Sequence, residues 1–222
     1  MATMTEREST LPRLLHGLDA RAVRELSPYL QSERYERGQM ILIEGDSPAA
    51  LYFVQEGLVR LVQVSAEGRV FVLDHVGPGE CLNLSSALEA GPLAYSAEAV
   101  VDTRALTLTH NRLAEVLRAN PGLYRAFAAQ LAHDLGVLSR IVRELALHPV
   151  SARLARFLLE QAERPQPHTR WTQESIAASI GSVRDVVGRT LRGFIEEGLL
   201  RKVGGQMVIA NHAELERIAR GE

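Results

Sequence analysis

The chain has 222 residues and one cysteine, Cys81; the length suits one large or two modest domains, and the lone thiol excludes an internal disulfide, a multi-cysteine metal site and an iron–sulfur cluster. Its formal net charge of −2 divides into 14 basic against 18 acidic residues over 1–150 and 11 against 9 over 151–222, so a basic footprint for nucleic acid is local. No apolar run approaches the length of a membrane span, and Met1–Thr10 is polar with no secretory h-region, so no membrane association and a cytoplasmic location are expected.

Leu11 to Leu30 reads as one or two short helices, with Asp19 as a cap and Val23, Leu26 and Leu30 on the buried side. From Tyr35 the apolar period changes to two and glycines punctuate it. Met40-Ile41-Leu42-Ile43 precedes Gly45-Asp46, and Leu51-Tyr52-Phe53-Val54 leads to Glu56-Gly57. Leu58 to Val64 leads to Glu67-Gly68, and Arg69 to Leu73 runs on to Gly77-Pro78-Gly79. Ala94 to Val101 and Arg104 to Leu108 supply closing strands. Many short strands with turn residues between them predict a compact β-sandwich or barrel.

His110 to Asn120 returns to helix, and Pro121 suits the first turn of the next one. That helix extends to Leu147 and carries Leu123, Phe127, Leu131, Leu135, Leu138, Val142 and Leu145 at spacings of three and four. The stripe suits coiled-coil-like pairing with a second copy, or packing on the chain's own β-domain. His148-Pro149 marks a hinge. Val150 to Glu163 is a further helix with Leu154, Phe157 and Leu158 inward, and Arg164 to Arg170 is a proline-containing connector.

Trp171 to Leu200 is the most informative stretch and predicts two short helices joined by a tight turn. Thr172 caps the first, and Ile176, Ala177 and Ile180 share one face. Gly181 permits the turn. Ser182 opens the second helix with Asp185 three residues on, the spacing of a reciprocal capping box. Val183, Val186, Val187, Thr190, Leu191, Phe194 and Ile195 supply its apolar contacts, leaving Arg184, Asp185, Gly188, Arg189 and Arg192 on the remaining face. A helix that enters the major groove needs that division: one side docks it, and donors and acceptors near its N-terminal half reach base edges. Arg201 to Ile209 reads as two short strands around Gly204-Gly205, a wing that brings Arg201 and Lys202 to phosphate.

The helix pair resembles the C-terminal domain of the cyclic-AMP receptor/fumarate-nitrate regulator (CRP/FNR) superfamily of bacterial transcription factors. Thr172-Gln173-Glu174, Ile176-Ala177, Gly181 and Arg184-Asp185-Val186-Val187-Gly188-Arg189 meet its pattern of Thr-Gln-Glu, Ile-Ala, Gly and Arg-Glu-x-x-x-Arg. Upstream, Gly38, Gly45-Asp46, Glu56-Gly57, Gly68 and Gly77-x-Gly79-Glu80 match in order, so the resemblance covers nearly the whole chain. It implies an α+β architecture in three parts. Residues 1–119 are a double-stranded β-helix sensor domain of the cyclic-nucleotide-binding type, residues 120–148 a dimerisation helix and hinge, and residues 149–222 a winged helix-turn-helix. It also implies a homodimer joined through Phe127, Leu131, Leu135, Leu138, Val142 and Leu145. Two-fold symmetry is what lets a helix-turn-helix read a palindrome in double-stranded DNA. By the same resemblance Arg184 and Arg189 read guanines and Asp185 a cytosine on the opposite strand, in half-sites of the TGTGA type. Asp185 is one methylene shorter than the family's glutamate. Thr172, Ser182, Arg201 and Lys202 are assigned to phosphate positioning.

A cyclic-AMP pocket of this family uses a glutamate for the ribose and an Arg-Ser pair for the cyclic phosphate, with Thr and Ser from the dimer helix for adenine. The matching positions here are Glu80, Tyr95-Ser96 and Leu138-Ser139. Tyr95 brings a phenol but no charge, and a semi-buried phosphate needs compensation, so typical cyclic AMP is not expected. His75, His110, His133 and His148 lack diagnostic spacing, and Cys81-Leu82-Asn83-Leu84-Ser85 lacks the local histidine of the carbon-monoxide-sensing haem relatives. The cofactor is left unassigned, a cyclic dinucleotide, haem, a small hydrophobic effector or none being the open choices. No nucleophile–base pair and no metal-binding His/Glu cluster stands out, so an enzyme is not expected. The alternative is a sensory module that assembles proteins without reading DNA, against which the paired arginines argue. RNA polymerase is a further expected partner, and activator or repressor is unreadable.

Overall fold

The computed structural model describes residues 27–47, 50–163, 171–203 and 206–222. Most of the first expected helical stretch, the connector over 164–170 and the Gly204-Gly205 turn lie outside the described residues. Two compact units emerge, one taking the chain through Gln63 and again over Leu73–Val137, the other Val64–Val72 and Leu138–Glu222.

The first unit is built on strands β1 (Gln31–Tyr35), β2 (Met40–Leu42), β3 (Ala50–Glu56), β4 (Val59–Val64), β5 (Val70–Val76), β6 (Cys81–Leu82), β7 (Ser96–Ala99) and β8 (Thr103–Thr109). They form two four-stranded sheets, ordered β1-β8-β3-β6 and β2-β7-β4-β5. Strand β3 shows why the fold takes this form. It is buried from Ala50 to Val54, and because side chains alternate along a strand it serves two cores. Leu51 and Phe53 join a cluster with Leu108, Leu113, Val116 and Leu117, whereas Tyr52 and Val54 join Val59, Val76, Leu82 and Ala97. The β3–β4 turn requires Gly57, at φ 100, where a Cβ would lie 2.7 Å from the Asp102 carbonyl oxygen.

Helix α1 (Leu84–Glu89) interrupts the strands, and α2 (His110–Ala119) and α3 (Gly122–Leu147) follow them. The His110 ring Nδ1 lies 2.6 Å from the Ala87 carbonyl oxygen, so this histidine ties α2 to α1. The apolar stripe of α3 divides in two, which corrects the expected dimer set at Phe127. That ring is only 2% exposed and belongs with Leu123 to the first core, with Leu131 packed partly against it. The start of the helix lies on its own β-rich unit, so its apolar face is satisfied within one chain. Further along, Leu135, Leu138, Val142 and Leu145 stay 42–65% exposed.

The second unit comprises α4 (Val150–Ala162), α5 (Gln173–Ile180), α6 (Arg184–Glu196), β9 (Leu200–Val203), β10 (Gln206–Ile209) and α7 (His212–Arg220), with the end of α3. Leu154, Phe157, Ile176, Val187, Leu191, Phe194, Leu199, Leu200 and Leu215 form one core, against which Trp171 meets Phe157 edge-on with centroids 4.8 Å apart. Among the described residues, no helix is long and apolar enough to cross a membrane.

Candidate nucleic-acid interface

Helix α5 starts with a capping box. The Thr172 hydroxyl accepts the Ser175 backbone N–H at 3.1 Å, and the Ser175 hydroxyl accepts that of Thr172 at 2.9 Å. Two first-turn donors are thereby satisfied. The helix ends at Gly181 in the left-handed region, φ 63, which turns the Ser182 N–H back onto the Ala177 carbonyl at 2.9 Å. Arg153 completes that end from α4, its Nη1 donating to the carbonyl oxygens of Ile180 and Gly181.

This arrangement corrects the expected Ser182–Asp185 capping box. Ser182 is consumed in closing α5, so the N-cap of α6 is Val183, in extended conformation and with no side-chain cap. Asp185 is thus released from capping. The side chains of Arg184, Asp185 and Arg189 are exposed and make no hydrogen bond or ion pair with the described residues. Val187, Leu191 and Phe194 hold the opposite face in the core. Arg192 also faces outward, its Nε 3.4 Å from the Gly188 carbonyl oxygen. The uncapped N–H groups at the start of α6 add partial positive charge beside these side chains.

Strands β9 and β10 pair antiparallel, with Arg201 opposite Val208 and Lys202 opposite Met207. Both cations are exposed. Thr172 is exposed and Ser182 partly so, and these two, Arg201, Lys202, Arg184, Asp185 and Arg189 all lie in the second unit. Two neighbours have no role assigned from the sequence: Arg153, which serves carbonyls 27 and 28 residues away, and Gln173, which packs over Gly188. A glycine on an otherwise polar helix face was the readable sign of the second.

Three of the effector candidates accept hydrogen bonds from nearby backbone. The Tyr95 hydroxyl accepts the Asn83 backbone N–H at 2.6 Å, and the Ser96 hydroxyl accepts that of Glu44 at 2.9 Å. One Glu80 carboxylate oxygen accepts the Gly77 N–H at 2.7 Å within its own turn. None of the three is a cation. Burial pushes the Tyr95 phenol up to about 12 even though it accepts the Asn83 N–H, and the Asp134 carboxylate adds to the rise. Leu138 and Ser139 belong to the second unit and are exposed on α3. Among the described residues no group of three His, Cys, Asp or Glu side chains is placed to hold a metal ion.

Comparison with known proteins agrees with both units. The Cyclic nucleotide-binding domain family matches residues 32–120, and the Crp-like helix-turn-helix domain family matches residues 152–218. The chain is 32% identical over 209 residues to the cyclic AMP receptor protein of Thermus thermophilus, covering 94% of this chain and 97% of that protein. It is 26% identical to a CRP-like cAMP-activated global transcriptional regulator of Mycobacterium tuberculosis, over 93% of this chain and 96% of that one. A crystal structure of a Crp/Fnr-family transcriptional regulator from Eubacterium rectale superposes with a TM-score of 0.81 at 23% identity, covering 93% and 97% of the two chains. These relatives are transcription regulators and not enzymes. With an effector-type β-rich domain followed by a helix-turn-helix domain, the chain belongs to the cyclic-AMP receptor/fumarate-nitrate regulator superfamily of transcription regulators.

Proposed function

We propose that the chain works as a homodimer in the cytoplasm and reads a palindromic operator in double-stranded DNA, with RNA polymerase as its downstream partner. Each copy sets one α6 in a major groove, Arg184 and Arg189 on guanine O6/N7 and Asp185 on a cytosine amino group. Thr172, Ser182, Arg201 and Lys202 fix the register on phosphate. The observation that carries this reading is that Arg184, Asp185 and Arg189 are exposed and uncommitted on α6 while its other face is buried. The exposed Leu135, Leu138, Val142 and Leu145, at spacings of three, four and three, suit a helical pairing seam.

The effector of the β-rich unit, on this reading, is not typical cyclic AMP. Neither Tyr95 nor Ser96 is a cation that could balance a phosphate. The test combines light scattering with selection of duplexes from a random-sequence pool by the purified protein. A dimer mass and an inverted-repeat consensus are expected. A monomer at working concentration, or a consensus without inverted symmetry, overturns the symmetric reading. Native mass spectrometry with an absorption spectrum identifies any co-purified nucleotide or haem.

A further inference from the structure

The three side chains assigned to base reading discriminate guanine and cytosine, and none of them presents the adjacent donor and acceptor that adenine's N6 and N7 require. A primary amide does. Gln173, the first residue of α5, brings one to the edge of the reading face. Gly188 follows Arg184 by four residues and Asp185 by three, so it lies on the same side of α6 as both. A Cβ built on Gly188 would sit 3.0 Å from Gln173 Oε1 and 3.6 Å from Nε2. The amide therefore occupies the space a side chain at 188 would fill. Gln173 is exposed, and its amide forms no hydrogen bond with the described residues, so both its donor and its acceptor are available.

We propose that Gln173 is a fourth specificity residue, whose amide lies across Gly188 and pairs with the N6 and N7 of one adenine in each half-site. The absence of a Cβ at Gly188 is what lets a residue of the first helix share the groove with the second. This rests on α6 being the reading helix.

The experiment selects duplexes from a random-sequence pool with the wild-type protein and with Q173A, G188A, Q173A/G188A and R184A, then measures binding to the wild-type consensus. Q173A is expected to keep the guanine and cytosine preferences and lose one A·T preference per half-site. Affinity for the consensus should fall about five- to hundredfold, the scale of a bidentate base contact. That loss should shrink on a duplex carrying 7-deazaadenine at the same position, which lacks N7 but keeps the N6 donor. G188A should weaken the same preference, because its methyl displaces only the end of a flexible side chain, and the double variant should be no worse than Q173A. Thermal midpoints should hold, as Gln173 is exposed. Equal weakening of all duplexes by Q173A, or an unchanged consensus, overturns the proposal. If R184A also leaves the consensus unchanged, the reading-helix assignment itself has failed; if only Q173A does, this inference alone has.

Discussion

The Tyr95 hydroxyl accepts the backbone N–H of Asn83 at 2.6 Å, joining the approach to β7 to the start of α1. Asn83 is almost fully buried, holds φ 68, and donates through Nδ2 to the Ala50 carbonyl oxygen at 2.7 Å. A left-handed asparagine of this kind persists only where its neighbours over-determine it. Y95F removes the acceptor of a buried N–H, so unfolding in urea should show a loss of about 1–3 kcal/mol. Adding cyclic AMP should leave the wild-type midpoint unchanged, since a ligand that binds the native state raises it.

Two buried acids should lower stability at alkaline pH. Burial first, then the charges of Asp134 and Glu80, push the Cys81 thiol up to about 12, and Tyr95 is also raised to about 12. In the unfolded chain both groups ionise earlier. Between the unfolded and folded values the native state binds more protons, so stability falls as pH rises. The contribution should be whole below pH about 8 and disappear toward pH about 12. Urea midpoints across that range measure it, and C81A should flatten the Cys81 part. Below the unfolding transition, Cys81 should resist iodoacetamide.

Base reading and phosphate contact separate by their pattern of loss. R184A and R189A should each remove about 1–3 kcal/mol of discrimination against guanine-substituted operators. K202A should instead weaken all duplexes alike and lower the salt slope by about 1. Equal losses for R184A on matched and substituted operators would mean that Arg184 touches phosphate only.

The two parts of the α3 stripe should behave oppositely. L135E and V142E place charges on the exposed stripe and should shift sedimentation toward monomer with little change in unfolding free energy. F127A should leave the monomer–dimer balance in place and cost about 3–5 kcal/mol of folding stability, the scale for emptying a buried aromatic site.

The contrast between Phe127 and Leu135 also marks what the sequence makes legible. Their spacing is the same, and periodicity reports that a face is apolar without reporting what covers it. Only the length of the β-rich unit's own core decides that Phe127 is covered by its own chain. The apolar run of β3, the glycine punctuation and the apolar face of α6 are all readable, because each is a local pattern. Ser182 departs from its expected capping role for a related reason. Serine followed by aspartate at three is a sound cap signal, but Gly181 in the left-handed region takes the Ser182 N–H for Ala177 and starts α6 a residue late. Arg153 had no local signal, since the carbonyls it serves arrive from another helix.

Arg156 donates to the Glu144 carboxylate, near the end of α3, and to the Ala219 carbonyl oxygen at 2.6 Å, in the last turn of α7. Its guanidinium thus bridges the His148-Pro149 joint instead of lying to one side of it. The joint is not a loose swivel: twisting α4 against the last turn of α3 first has to part a pair of opposite charges. The same guanidinium also ties α4 to α7, so the first and last helices of the second unit share one anchor at the end of α3.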